Sequence, residues 1–242
     1  MAQKIILASG KGGVGKSSLT AGLSAALADA GKKVLAVDMD IGLRSLDLIL
    51  GLNEKQIFNW GDIILGYCDF EDALISSEPV SLLGAPPEFN ESFTVDNLKN
   101  VIDIADEKFD FILLDAPAGI GEGLMLAAGV ADDGIVVVTS DEVSVRSGEI
   151  ASRKLYDSGI ENVSVIINRF KESYSAKGRY LNIDDVIDSS KLRLLGIVPE
   201  DPQITFCAMK GKPVEKNAPS YRAFKRIQKR LFGENIPLFK KV

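Results

Sequence analysis

Gly10-Lys11-Gly12-Gly13-Val14-Gly15-Lys16-Ser17 is the stretch on which the reading of this chain turns. Its spacing, Gly-x-x-x-x-Gly-Lys-Ser, is that of a phosphate-binding P-loop. An apolar run at 4–8 precedes it, and Leu19, Leu23 and Leu27 follow at helical spacing. Strand, glycine loop and helix in that order are the context the motif requires. Glycines let the backbone turn its N–H groups inward on phosphate oxygens, and the helix start adds a positive dipole end. Gly10, Lys11, Gly12, Gly13, Val14, Gly15, Lys16, Ser17 and Ser18 are therefore the expected nucleotide cradle. Lys16 should reach the β- and γ-phosphates of ATP, and Ser17 should ligate Mg²⁺.

Outward from the loop, short apolar runs alternate with helix-period segments. Strands are expected at 4–8, 33–38, 111–115, 134–139, 163–168 and 194–198. Helices are expected at 16–30, 95–106, 121–130, 143–158 and 221–232. Runs such as Ile135-Val136-Val137-Val138 do not alternate, so they suit strands buried on both faces. The pattern implies one α/β domain over 1–242, doubly wound, with a mostly parallel sheet flanked by helices. Its last part, 221–242, forms a basic helix and tail that is a candidate interaction segment.

Two carboxylate motifs fall where such a sheet binds ligands, at strand C-termini. The second strand ends Val37-Asp38-Met39-Asp40, and a later one ends Leu113-Leu114-Asp115, followed by Ala116-Pro117-Ala118-Gly119. The latter is a Walker B pattern, so Asp115 should act on Mg²⁺ through water. Asp38 and Asp40 should orient Mg²⁺-bound and attacking water. Gly119 should let the following loop rearrange when the γ-phosphate leaves.

Composition excludes several other classes. The 242 residues contain no histidine, which removes His-based nucleophiles and His metal ligands. Cys68 and Cys207 stand far apart, so a disulfide framework is not expected. Net charge is −6, but 221–242 holds seven basic residues and one acid, leaving −12 on the rest. An acidic body argues against nucleic acid as a partner. The N-terminus lacks a signal-peptide apolar region and no run approaches a membrane span, so a cytoplasmic protein is expected.

Lys11 gives the loop a second lysine, and this variant resembles the deviant Walker A of the MinD/ParA ATPase family. Asp38-Met39-Asp40-Ile41-Gly42-Leu43-Arg44-Ser45-Leu46-Asp47-Leu48-Ile49-Leu50-Gly51 resembles the first switch region of its septum-site-determining branch. Asp115 to Ile120 is similar to the second switch, with Ala116 where serine is usual. Asn168-Arg169, Gly196-Ile197-Val198-Pro199-Glu200-Asp201 and Gly211-Lys212-Pro213-Val214 extend the likeness over nearly the whole chain. The resemblance implies an ATP-bound homodimer in which Lys11 crosses to the partner's phosphates. It also implies that Asp40 positions the hydrolytic water, Asp38 supports Mg²⁺ and Asn168 reads the adenine edge. Glu142 is expected near the dimer interface, or else as an acid at a helix start. The implied partners are a division inhibitor and a topological-specificity protein, with hydrolysis of ATP releasing the dimer from an anionic membrane surface.

One departure bears on the membrane. The branch usually adds a short amphipathic targeting helix after a Gly-Glu-x-x-Pro-Leu segment, whereas here only Pro237-Leu238-Phe239-Lys240-Lys241-Val242 follows Ile236. Tyr221, Phe224, Ile227, Leu231 and Phe232 form a stripe that suits either lipid or the protein body. Localisation is therefore expected to be cytoplasmic, with reversible peripheral contact at the cell membrane if the stripe meets lipid. Other family roles fit less well. A ParA-like partition ATPase should have a basic surface, a flagellar-number regulator an N-terminal extension, and an iron–sulfur carrier paired cysteines.

Overall fold

The computed structural model describes residues 1–76, 78, 80–175, 178 and 180–237. The expected basic tail at 238–242 lies outside the described residues. Among those described, the strands are β1 (Gln3–Ser9), β2 (Val34–Asp38), β3 (Leu74–Ile75), β4 (Ser81–Leu83), β5 (Phe111–Ala118), β6 (Asp133–Val138), β7 (Asn162–Phe170) and β8 (Arg193–Pro199). The helices are α1 (Lys16–Ala28), α2 (Leu46–Leu50), α3 (Trp60–Ile64), α4 (Phe70–Ala73), α5 (Val95–Asp106), α6 (Glu122–Ala128), α7 (Glu142–Asp157), α8 (Glu172–Ser175), α9 (Ile183–Ser190), α10 (Pro202–Met209) and α11 (Pro219–Leu231).

The sheet order is β3-β4-β2-β5-β1-β6-β7-β8. Every pairing is parallel except that of β3 with β4. β1 lies between β5 and β6, so the chain leaves it in one direction and returns on its other side. That reversal opens the crevice at the strand C-termini in which the glycine loop sits. One face of the sheet carries Ile6, Leu114 and Val136 into a core with α5, α6 and α7. The other carries Leu7, Leu113 and Val137 into a core with α1 and α11. Period-2 alternation of two buried faces is why these strands read as unbroken apolar runs.

The expected strands and long helices are all present, with ends shifted by a few residues. The strand expected at 111–115 runs on through Ala118, where Ser9 pairs with Ala118. The small elements β3, β4, α2–α4 and α8–α10 are additions. β3 and β4 hold two and three residues, too few for periodicity to register.

α11 settles the ambiguous stripe. Phe224 and Ile227 are buried in the core shared with α1 and β8. A Cβ added at Gly22 of α1 would come within 2.3 Å of the Phe224 ring, so glycine is what lets the two helices approach. Tyr221 donates its hydroxyl to Asp29, and Phe232 lies 5.8 Å from Phe111, centroid to centroid. The stripe therefore faces the protein body, which decides between the two readings left open for it. Burying Phe224 and Ile227 contributes about 2 kcal/mol each, a gain lost if the helix turned over onto lipid. Among the described residues no helix is long and apolar enough to cross a membrane.

Candidate functional site

Residues 10–15 join β1 to α1. Gly13 and Gly15 take left-handed φ of 80° and 88°, values that cost a side chain about 1–2 kcal/mol. Gly15 is the N-cap of α1, and the first helical bond runs from Leu19 N–H to the Gly15 carbonyl. The amides of Lys16, Ser17 and Ser18 thus lie in the first turn, where helical acceptors are missing, and can serve an anion. Ser18 can contribute through that amide. The residue itself borders a separate small apolar pocket against α2, which narrows its expected role to a backbone one.

Lys16 is buried, and its ammonium donates to Asp115 Oδ1 at 2.8 Å. Asp115 is 0% exposed at a position of β5 level with Asp38 on β2. Thr20 Oγ1 lies 2.9 Å from the same Oδ1, whereas Oδ2 is buried with no partner among the described residues. A buried carboxylate oxygen left unbonded is costly, and a hydrated cation beside it would remove the cost. No group of three or more His, Cys, Asp or Glu suited to a metal occurs among the described residues. Such a cage is not needed for Mg²⁺, which keeps most of its waters and takes one or two protein oxygens beside phosphate. Ser17 and Asp115 supply that donor set, so the residues fit MgATP.

Asp38 has a structural job beside the one expected. It is 1% exposed, and its Oδ1 accepts from the Asp40 amide at 2.9 Å. Its Oδ2 accepts from the amides of Ser45 and Leu46 at 3.1 and 3.0 Å. The carboxylate thereby folds the loop 39–45. Burial raises the Asp38 pKa above its ordinary value, with the Asp115 charge adding to the rise and the three amides opposing it. Trp60 steadies the same point, its indole N–H donating to the Asp38 carbonyl at 2.9 Å. Ser45 Oγ donates to Ser17 Oγ at 3.3 Å, so the loop touches the expected Mg²⁺ ligand directly.

Asp40 stands half-buried beyond this anchor. Burial raises its pKa, the Lys16 charge lowers it and the Asp115 charge raises it. Asp40 and Ile41 share a groove with Pro117, Glu122 and Phe93. The first switch region and the start of the second thus form one continuous wall.

Lys11 is half exposed at the mouth of the loop and 3.4 Å from Asp141 Oδ1. Asp141 caps α7 by accepting from the Ser144 amide and also accepts from Thr139 Oγ1. Burial pushes its pKa up, but these donors and the Lys11 charge outweigh it and hold the carboxyl below its ordinary range. An exposed ion pair of this kind is worth about 0–1 kcal/mol, so Lys11 is parked rather than fixed. Glu142 follows as the first residue of α7, where an acid favours the helix dipole. Asn168 lies under the loop, with Nδ2 donating to the Val14 carbonyl at 2.7 Å. Its Oδ1 is buried without a partner among the described residues. The expected reader of adenine is therefore first a brace for the loop.

Thr20, Ser45, Trp60 and Asp141 escaped the sequence reading. Thr20 alone carried a visible signal, since a residue four beyond Lys16 shares its helix face. A cleft of about 270 Å³ opens beside the loop, lined by Lys11, Gly12, Val14, Asp141, Arg169 and Tyr180 among others.

With this geometry in place, likenesses to known proteins acquire meaning. Residues 5–214 match the family model of the CobQ/CobB/MinD/ParA nucleotide binding domain. The septum site-determining protein MinD of Helicobacter pylori is 38% identical over 248 residues, covering 98% of this chain and 92% of that protein. A chain of the MinC:MinD cell division protein complex of Aquifex aeolicus superimposes with a TM-score of 0.91 at 34% identity, covering 99% of both chains. The septum site-determining protein MinD of Pyrococcus horikoshii, solved with Mg-ADP, superimposes with a TM-score of 0.85 at 28% identity, covering 98% of this chain and 100% of that one. The chain belongs to the CobQ/CobB/MinD/ParA family of nucleotide-binding domains, and within it to the septum site-determining MinD proteins.

Proposed function

We propose that this chain is a switch ATPase of division-site placement, which closes into a homodimer on MgATP and opens when ATP is hydrolysed. The observation that carries the proposal is the pairing of two lysines on one loop. Lys16 is buried on the Walker B carboxylate, whereas Lys11 is half exposed at the mouth on a weak ion pair.

In this reading Lys16 leaves Asp115 for the β- and γ-phosphates, and the amides of 12–18 hold the phosphate oxygens. Ser17 and Asp115 would hold Mg²⁺, which would supply charge neutralisation to the phosphates. Asp40 orients the attacking water and takes its proton. Lys11 leaves Asp141 and reaches the partner subunit's triphosphate, where its charge meets the developing negative charge of phosphoryl transfer. The unpartnered Asn168 Oδ1 accepts from the adenine amino group. Loss of the γ-phosphate is felt by the loop 39–45 through the Ser17–Ser45 contact.

The dimer is proposed to bind a division inhibitor, as the complex of the Aquifex aeolicus relative with MinC supports. A topological-specificity protein that stimulates hydrolysis is proposed on the resemblance alone. Membrane contact is peripheral in this account. The α11 stripe packs on the core, so the exposed basic residues Arg222 and Lys229 meet anionic lipid electrostatically.

Sedimentation velocity tests the switch. With Mg²⁺ and a non-hydrolysable ATP analogue the protein should sediment as a dimer, and with MgADP as a monomer. A monomer in both conditions overturns the proposal.

A further inference from the structure

Thr20 sits one helical turn beyond Lys16 and is 0% exposed. Its Oγ1 lies 3.1 Å from the Lys16 carbonyl and 2.9 Å from Asp115 Oδ1. A hydroxyl has one proton to donate. Between a carbonyl and a buried carboxylate, the charged acceptor makes the stronger bond. The side chain is also β-branched on a helix, where two rotamers are open to its hydroxyl, and the one observed reaches Asp115 Oδ1.

Asp115 Oδ1 consequently has two donors, the Lys16 ammonium and the Thr20 hydroxyl, while Oδ2 has none among the described residues. The two donors differ in what ATP does to them. Lys16 is a flexible cation that must turn toward the phosphates, and Thr20 is a neutral group on the helix wall that stays.

We propose that Thr20 is the positioning residue for Asp115: by holding Oδ1 after Lys16 turns away, it keeps Oδ2 presented to the water shell of Mg²⁺. The inference rests on the MgATP reading above and adds a residue to it. Without the hydroxyl, the carboxylate can rotate about its Cβ–Cγ bond, and neither oxygen is held in the direction of the cation. The bland alternative is that Thr20 only bonds back to the carbonyl of its own helix, a habit of buried threonine. In that case removing the hydroxyl changes stability and leaves the metal requirement alone.

The test uses Thr20→Val, which keeps the shape and removes the hydroxyl, beside Thr20→Ser, which keeps the hydroxyl. Equilibrium binding of a fluorescent non-hydrolysable ATP analogue is titrated with Mg²⁺ and repeated in EDTA, with thermal unfolding run in parallel. Thr20→Val is expected to need roughly tenfold more Mg²⁺ for half-maximal tight binding, the size of effect typical for groups that orient a metal ligand. Its affinity in EDTA should match wild type, and Thr20→Ser should restore the wild-type Mg²⁺ midpoint. Should the valine variant not fold, Thr20→Ala takes its place in the same comparison. An unchanged Mg²⁺ midpoint overturns the inference, as does an equal loss of affinity with and without Mg²⁺. Failure of the wild type to bind the analogue at all sinks the MgATP reading itself, so the two failures are distinct.

Discussion

Replacing Lys16 with Ala is expected to lower MgATP affinity by about two to nearly four orders of magnitude, because removing one partner of a buried charge pair costs about 3–5 kcal/mol. The ammonium is the cation nearest the expected phosphate position, and its side chain is only 8% exposed, so water screens the attraction weakly. The same change strands Asp115, which is 0% exposed and keeps only Thr20 as a side-chain donor among the described residues. Stability should therefore fall as well. Lys16→Ala combined with Asp115→Asn separates the two effects, since the stranded charge is gone and folding should recover while affinity does not. A titration with a fluorescent ATP analogue reads affinity directly. Wild-type affinity in either variant contradicts the assignment of Lys16.

Asp40→Ala is expected to bind MgATP and dimerise normally while turnover falls about a hundredfold or more, the range for removal of a proton-accepting group. Asp40 stands beyond the loop anchor, and its carboxylate takes no bond from the amides that secure Asp38. Its loss should leave the loop 39–45 intact. The pH dependence carries a sign. Burial holds the Asp40 pKa above its ordinary 3.8, and only the ionised form can take a proton. Wild-type phosphate release should therefore fall on the acid side at a pH above 3.8, and Asp40→Ala should lack that limb. Wild-type phosphate release from Asp40→Ala removes this residue from the mechanism.

Much of the site could be read before the structure because glycine spacing and strand ends constrain it tightly. The loop 10–17 needs a strand before it and a helix after it, and β1 and α1 supply them. Asp38 and Asp115 each close an apolar run, and the sheet places them level on neighbouring strands. What could not be read is how a carboxylate spends its oxygens. Asp38 and Asp115 look alike in sequence, yet among the described residues one holds three backbone amides and the other keeps an oxygen without a partner. That difference arises from contacts between segments far apart in the chain. The stripe on α11 was ambiguous for a related reason. An amphipathic period is the same whether the apolar face meets lipid or protein, and only the space left by Gly22 decided for protein. Asn168 was assigned to the base by resemblance, and its brace on Val14 depends on a loop more than 150 positions away in sequence.

In the proposed dimer Lys11 acts across the interface, and mixing two inactive variants measures that. Lys11→Ala keeps its own Asp40, and Asp40→Ala keeps a Lys11 to lend. In a mixed dimer one site then holds Asp40 from its own chain and Lys11 from the other. Combined in equal amounts with MgATP, the two variants should recover roughly a quarter of the wild-type rate, as half the dimers are mixed and each has one complete site. Phosphate release that stays at the level of the separate variants would show that Lys11 serves its own subunit's nucleotide, and would contradict the account.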